Sequence, residues 1–131
     1  MGTDTSSGEN HSANLLLIDD DTSFLQVLSR ILRGYPNQRF ASSGADGFRL
    51  VRESRPDLIL LDIDMPDLDG LEFCRQLKAD PEYADVPVIF ITSSRETPIA
   101  VAGFHVGAND YVTKPVNQYQ LLASVREVLE R

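Results

Sequence analysis

The sequence predicts an α/β domain: a doubly wound, five-stranded parallel sheet with helices on both faces. Three observations lead there. Short, uniformly apolar runs recur along the chain, as strands covered on both faces require. Stretches with apolar residues at helical spacing separate those runs. Gly and Pro punctuate the joins. Five strands alternating with five helices build βα units, and right-handed crossovers place the helices on both faces.

The elements follow in order from Asn14. Leu15-Leu16-Leu17-Ile18 is the first strand. Phe24, Leu25, Val27, Leu28, Ile31 and Leu32 repeat at i, i+3, i+4, i+7 and mark a helix, with Asp21 or Thr22 as its cap and Gly34-Tyr35-Pro36 as its end. A weak strand runs from Gln38 to Ala41. A helix follows from Gly44 to Ser54, with Phe48 and Val51 inward, and stops before Pro56. Leu58-Ile59-Leu60-Leu61 is a second fully apolar strand. Leu71, Cys74 and Leu77 mark the third helix, which ends near Asp80-Pro81. Val86 to Ile91 forms the fourth strand, Thr97 to Val106 a weaker fourth helix, and Tyr111-Val112 a short fifth strand. Leu121, Leu122, Val125, Val128 and Leu129 share one face of the last helix. Residues 1–13, rich in Ser, Thr, Gly and Asn and without apolar periodicity, read as a disordered tail; 14–131 form the domain.

Composition narrows the function classes. A length of 131 residues, 42% hydrophobic and 24% charged, is that of one domain with a sizeable core. One cysteine excludes a disulfide framework and a zinc-finger ligand set. The apolar stretches are far shorter than the ~20 residues of a membrane span. The N-terminus lacks the pattern of a secretory signal, and its formal match to a myristoylation pattern has no other support. These features suit a soluble, cytoplasmic protein. Twelve basic against 20 acidic residues give a net charge of −8, which disfavours direct contact with nucleic acid or an anionic membrane. No phosphate-cradling glycine motif supports nucleotide binding.

The chemistry stands immediately after the strands. Asp19, Asp20 and Asp21 follow the first, Asp62 and Asp64 the third, Thr92, Ser93 and Ser94 the fourth, and Thr113, Lys114 and Pro115 the fifth. Parallel strands bring these residues to one rim, where open α/β sheets bind ligands. Packed carboxylates repel, and a hard divalent cation removes that penalty. A lysine supplies a point charge for phosphate, and a hydroxyl donates to a phosphoryl oxygen. Cation, lysine and hydroxyl together suit phosphoryl transfer, in which the protein mainly positions groups and neutralises charge.

Ile18-Asp19-Asp20, Asp62 through Gly70, Ile91-Thr92-Ser93 and Gly107 through Pro115, in this order, resemble the receiver domain of two-component response regulators. The resemblance covers Asn14 to Arg131 and implies a flavodoxin-like strand order, 2-1-3-4-5. It implies that Asp62 accepts a phosphoryl group from the phosphohistidine of a sensor histidine kinase or a histidine phosphotransfer protein. Asp20 and Asp62 then resemble direct Mg²⁺ ligands, with Asp19 acting through water and Asp64 through its backbone carbonyl. Lys114 resembles the lysine that pairs with the phosphoryl group. Ser93 takes the small position whose N–H approaches it. Thr92 and Tyr111 resemble the switch pair that repacks the face made by the fourth helix, fifth strand and fifth helix. An output domain or partner reads that face, and a homodimer on phosphorylation fits the same scheme. Pro115 matches a proline that follows a cis peptide bond in the family. Val116 departs from the family, where an aromatic is common, and Ser93 replaces the usual alanine. Val86 to Phe90 and Gly103-Phe104 resemble receivers joined to cyclic-dinucleotide enzymes or hybrid kinases more than DNA-binding ones. The expectation is a stand-alone receiver or one cut from a longer chain.

Alone, each residue has a plainer role. Asp19 to Asp21 suit a helix cap. Asp67 to Gly70 suit a turn and cap without chemistry. Thr92 suits a loop hydroxyl, Lys114 a solvated surface charge and Tyr111 half-buried packing. Cys74 reads as a buried structural thiol, and neither His11 nor His105 as a ligand. The joint pattern decides for the receiver. An alternative is a haloacid-dehalogenase-like phosphatase using Asp62 and Asp64, but there the DxD strand comes first and the acidic pair last. A degenerate, unphosphorylated interaction module is a third option, opposed by the intact acid set.

Overall fold

The computed structural model describes residues 12–63, 70–93 and 107–130. Five strands, β1 (Leu15–Ile18), β2 (Gln38–Ala41), β3 (Leu58–Asp62), β4 (Val88–Thr92) and β5 (Asp110–Thr113), form one sheet in the order β2-β1-β3-β4-β5. All four neighbouring pairs are parallel. Four helices belong to the described residues: α1 (Thr22–Ile31), α2 (Gly44–Glu53), α3 (Gly70–Ala79) and the C-terminal α4 (Gln118–Leu129). The helix expected over Thr97 to Val106 lies outside the described residues, as do Asp64, Ser94 and the chain up to His11.

Strand side chains alternate between two cores. Leu15, Leu17, Leu58, Leu60, Ile89 and Ile91 pack with α1 and α4 through Leu25, Leu28, Leu121 and Val125. Leu16, Ile18, Ile59, Leu61, Val88 and Phe90 pack with Val51 of α2 and Phe73, Cys74 and Leu77 of α3. Helices therefore cover both faces, which is why β1, β3 and β4 read as unbroken apolar runs. Phe48 of α2 stacks on Phe73 of α3 with ring centroids 4.3 Å apart, tying those helices together.

Caps set the helix starts. Asp21 accepts from the N–H of Ser23 and of Phe24, Ser43 from that of Asp46, and Asn117 from those of Tyr119 and Gln120. Three details differ from the sequence expectation. Val27 is 43% exposed, because α1 buries Leu25 and Leu28 against the sheet and Val27 lies off that stripe. Leu32 caps α1 rather than extending it. The fourth strand begins at Val88 rather than Val86: Pro87 has no N–H, and the Val86 N–H is used on the Tyr83 carbonyl.

The order reverses at β1. The chain passes from β1 outward to β2, then returns to place β3 on the other side of β1. Ile18 pairs with Leu61 in register, so the residues that follow them, Asp19 and Asp62, emerge side by side at this switch point.

Candidate phosphate and cation site

The carboxyl ends of β1, β3, β4 and β5 build the site. Asp19 and Asp62 are 1% and 3% exposed, whereas Asp20 faces solvent. One carboxylate oxygen from each of Asp19, Asp20 and Asp62 lies within 4.8 Å of the others. Lys114 enters from the far side of β4. Its Nζ stands 3.7 Å from Asp19 Oδ2 and 3.7 Å from Asp62 Oδ1. The Lys114 backbone N–H donates to the Thr92 carbonyl (2.8 Å), and the Ile63 N–H donates to the Ile91 carbonyl (3.1 Å). The ladder thus continues one residue past the strands and fixes where the acid and the lysine sit.

Asp19 carries the strongest electrostatic signature. Its Oδ1 accepts from the Asp21 N–H at 2.9 Å, while its buried Oδ2 has no hydrogen-bond partner. Burial pushes its carboxyl up to about 7, and the neighbouring Asp62 charge adds to this. The Asp21 N–H and the Lys114 charge act in the opposite direction. An orphaned oxygen in a buried acidic cluster is the environment that a hard cation relieves. The donor set is all oxygen, as Mg²⁺ prefers, so the residues fit such an ion.

The other expected residues take up these positions. Thr92 ends β4, 2% exposed, and Ser93 is exposed just beyond it. Tyr111 is half-buried on β5, opposite Phe90, and packs against the second core. The Lys114–Pro115 peptide is cis. Asp64 lies outside the described residues. Cys74 is fully buried on α3, and burial pushes its thiol up to about 11, which leaves it protonated and inert.

Two contacts escaped the sequence reading. Gly70 presses on β3, the strand that carries Asp62. A Cβ at Gly70 would stand 2.5 Å from Ile63 Cα and 2.9 Å from the Asp62 carbonyl oxygen. Only glycine allows α3 to start so close to Asp62. The second contact is that of Phe24, whose ring lies beneath the Lys114 ammonium. A glycine opening a helix just after an acid-bearing strand was a visible signal for the first. Nothing in the sequence pairs Phe24 with a lysine 90 residues away.

A doubly wound parallel sheet with carboxylates and a lysine gathered at the carboxyl ends of its strands is the arrangement of a class of α/β domains. The chain belongs to the response regulator receiver domain family, whose model matches residues 15–126. It is a receiver domain of two-component signal transduction. Protein PilH of Pseudomonas aeruginosa is 38% identical over 118 residues, covering 89% of this chain and 98% of PilH. The DNA-binding response regulator MtrA of Mycolicibacterium smegmatis is 39% identical over 118 residues, 89% of this chain and 50% of MtrA. The chain therefore spans about half the length of MtrA. Among solved structures, a CheY-like receiver domain protein from Methanospirillum hungatei has a TM-score of 0.82 at 27% identity, covering 91% of this chain and 94% of that one. The chemotaxis protein CheY4 of Vibrio cholerae has a TM-score of 0.83 at 28% identity, covering 89% and 98%. Among the described residues, no helix is long and apolar enough to cross a membrane.

Proposed function

We propose that this receiver, residues 14–131, is a phospho-acceptor switch in which Asp62 takes a phosphoryl group from a phosphohistidine. The Asp62 carboxylate attacks phosphorus, forming an O–P bond. The P–N bond of the donor breaks, its electron pair leaves with the imidazole, and the imidazole takes up a proton. Water later attacks the same phosphorus and returns carboxylate and inorganic phosphate. The protein acts only on its own phosphorylation state and turns over no other substrate.

The gathering of three carboxylates at the sheet's switch point, two of them 3.7 Å from the Lys114 ammonium, carries this reading. Asp19, Asp20 and Asp62 would hold Mg²⁺, with the backbone of Asp64 added by the family resemblance. When bound, that ion neutralises charge on the phosphoryl oxygens. Lys114 pairs with the phosphoryl group and offsets the charge that remains. The Ser93 N–H and the Thr92 hydroxyl donate to its oxygens. As Thr92 turns inward, Tyr111 takes the space it leaves, and the face around β5 and α4 repacks. This is a two-state change driven by a local charge of about −1.5 to −2.

A sensor histidine kinase or a histidine phosphotransfer protein supplies the group. An output domain or partner reads the repacked face, and a homodimer formed on phosphorylation uses the same surface. MtrA is named for DNA binding; here the net charge of −8 disfavours nucleic-acid contact by this chain. The domain works in the bacterial cytoplasm.

Incubation with acetyl phosphate and Mg²⁺, followed by intact-mass measurement, tests the reading. A stoichiometric gain of one phosphoryl group, lost on chelation of Mg²⁺, is expected. Sustained turnover of p-nitrophenyl phosphate points instead to a phosphatase. No mass gain at all points to an interaction module without phosphorylation.

A further inference from the structure

We infer that Phe24 is a positioning residue of the phosphate site, acting through Lys114. The inference rests on the role proposed above for that lysine. Lys114 Nζ lies 4.5 Å from the centroid of the Phe24 ring, within the range of a cation–π contact. The same nitrogen is 3.7 Å from Asp19 Oδ2 and 3.7 Å from Asp62 Oδ1. Its side chain keeps 25% of its exposure. The ammonium is therefore held between two carboxylates and a ring.

The ring itself is well anchored. Phe24 sits in the first turn of α1, and its N–H donates to the capping carboxylate of Asp21 at 3.2 Å. Its half-buried side chain packs on the core shared by α1 and α4, where Val116 and Leu122 also pack. The cap that starts α1 thus fixes the ring relative to Asp19 and Asp20, which precede it directly. Lys114 arrives from the opposite end of the domain's sequence, on the connection between β5 and α4.

A lysine ammonium is a strongly hydrated point charge on a flexible four-carbon stem. Left alone at a rim, it samples many rotamers. The face of Phe24 attracts the charge and displaces water from one side of it. The ammonium is then ordered beside Asp62 before a phosphoryl group arrives, so little ordering remains for the transfer itself. An aliphatic side chain at position 24 would fill similar space without that attraction, which separates a positioning role from ordinary packing.

Substitutions at Phe24 and Lys114 test this, with the urea midpoint of each variant confirming that it is folded. In NMR spectra of the wild type, the Lys114 ε-methylene protons should be shifted upfield by the ring. Phe24→Leu should abolish that shift, and Phe24→Tyr should keep it. With acetyl phosphate and Mg²⁺, Phe24→Leu should label about two- to tenfold more slowly, the range of a partly screened cation–π contact, and Phe24→Tyr should restore the wild-type rate. Phe24→Met replaces the leucine variant if leucine disturbs α1. In a Lys114→Ala background, Phe24→Leu should slow labelling no further, because its effect passes through the lysine. An unshifted Lys114 resonance in the wild type overturns the inference. So does wild-type labelling by Phe24→Leu, or equal slowing with and without Lys114. A wild type that does not label at all refutes the acceptor reading instead, and the NMR comparison still decides whether the ring holds the ammonium.

Discussion

Asp19→Asn should make the protein more stable while weakening its site. The buried Asp19 carboxyl is raised from 3.8 to about 7, chiefly by burial and then by the charge of Asp62. In the unfolded chain the same carboxyl ionises near pH 4. Between these two values the folded state holds a proton that the unfolded state has released, so stability falls as pH rises from about 4 to about 7. At about 1.4 kcal/mol per decade, the displacement amounts to on the order of 4 kcal/mol, fully expressed above pH 7 without a divalent cation. Asparagine removes the charge and keeps an oxygen that can accept from the Asp21 N–H. Roughly 2–4 kcal/mol of that loss should be recovered at pH 8, since the Oδ2 position also gains a donor facing Asp62. Urea unfolding at pH 5 and pH 8 in a chelator measures both terms. The wild type should lose stability between the two pH values, and the variant should lose much less. Equal stability of the two proteins at pH 8, or a wild-type profile that is flat or rising, refutes the reasoning.

Other outcomes follow from the same geometry. Mg²⁺ should raise the wild-type melting temperature, by an amount equivalent to about 2.7 kcal/mol at a hundredfold excess over its dissociation constant. The gain should be greater at pH 8 than at pH 5, because protons compete for Asp19, and calorimetry of Asp19→Asn should show most of it gone. Gly70→Ala should cost about 1–3 kcal/mol in urea unfolding, because the added Cβ meets backbone that has little room to yield. It should also slow acetyl phosphate labelling more than Val51→Ala, a core truncation away from the rim. Asp21→Ala should lower stability by about 1 kcal/mol through loss of the α1 cap, measured by the same unfolding.

The strands buried on both faces were the most legible part of the fold. Leu15 to Ile18 and Leu58 to Leu61 carry no polar residue, and the structure buries all of them. β2 was faint because it lies at the sheet edge, where Phe40 remains 45% exposed. Val27 fitted the helical period yet faces outward, since periodicity marks an apolar stripe without fixing its width. The rim residues were legible through position: each stands directly after an apolar run, and parallel strands align those ends. Which aspartate is buried was not legible, because Asp19 and Asp20 are adjacent and differ only in where β1 stops. Gly70 and Phe24 were hidden for another reason. Their roles arise from contacts with Asp62 and Lys114 that only the folded chain creates.

Locating the phosphoryl group on the chain is the sharpest trial of the scheme. After brief treatment with acetyl phosphate and Mg²⁺, peptide-level mass spectrometry should find the modification on Asp62, and Asp62→Asn should show none. Undiminished labelling of Asp62→Asn, or a modification carried by a peptide remote from this rim, would contradict it.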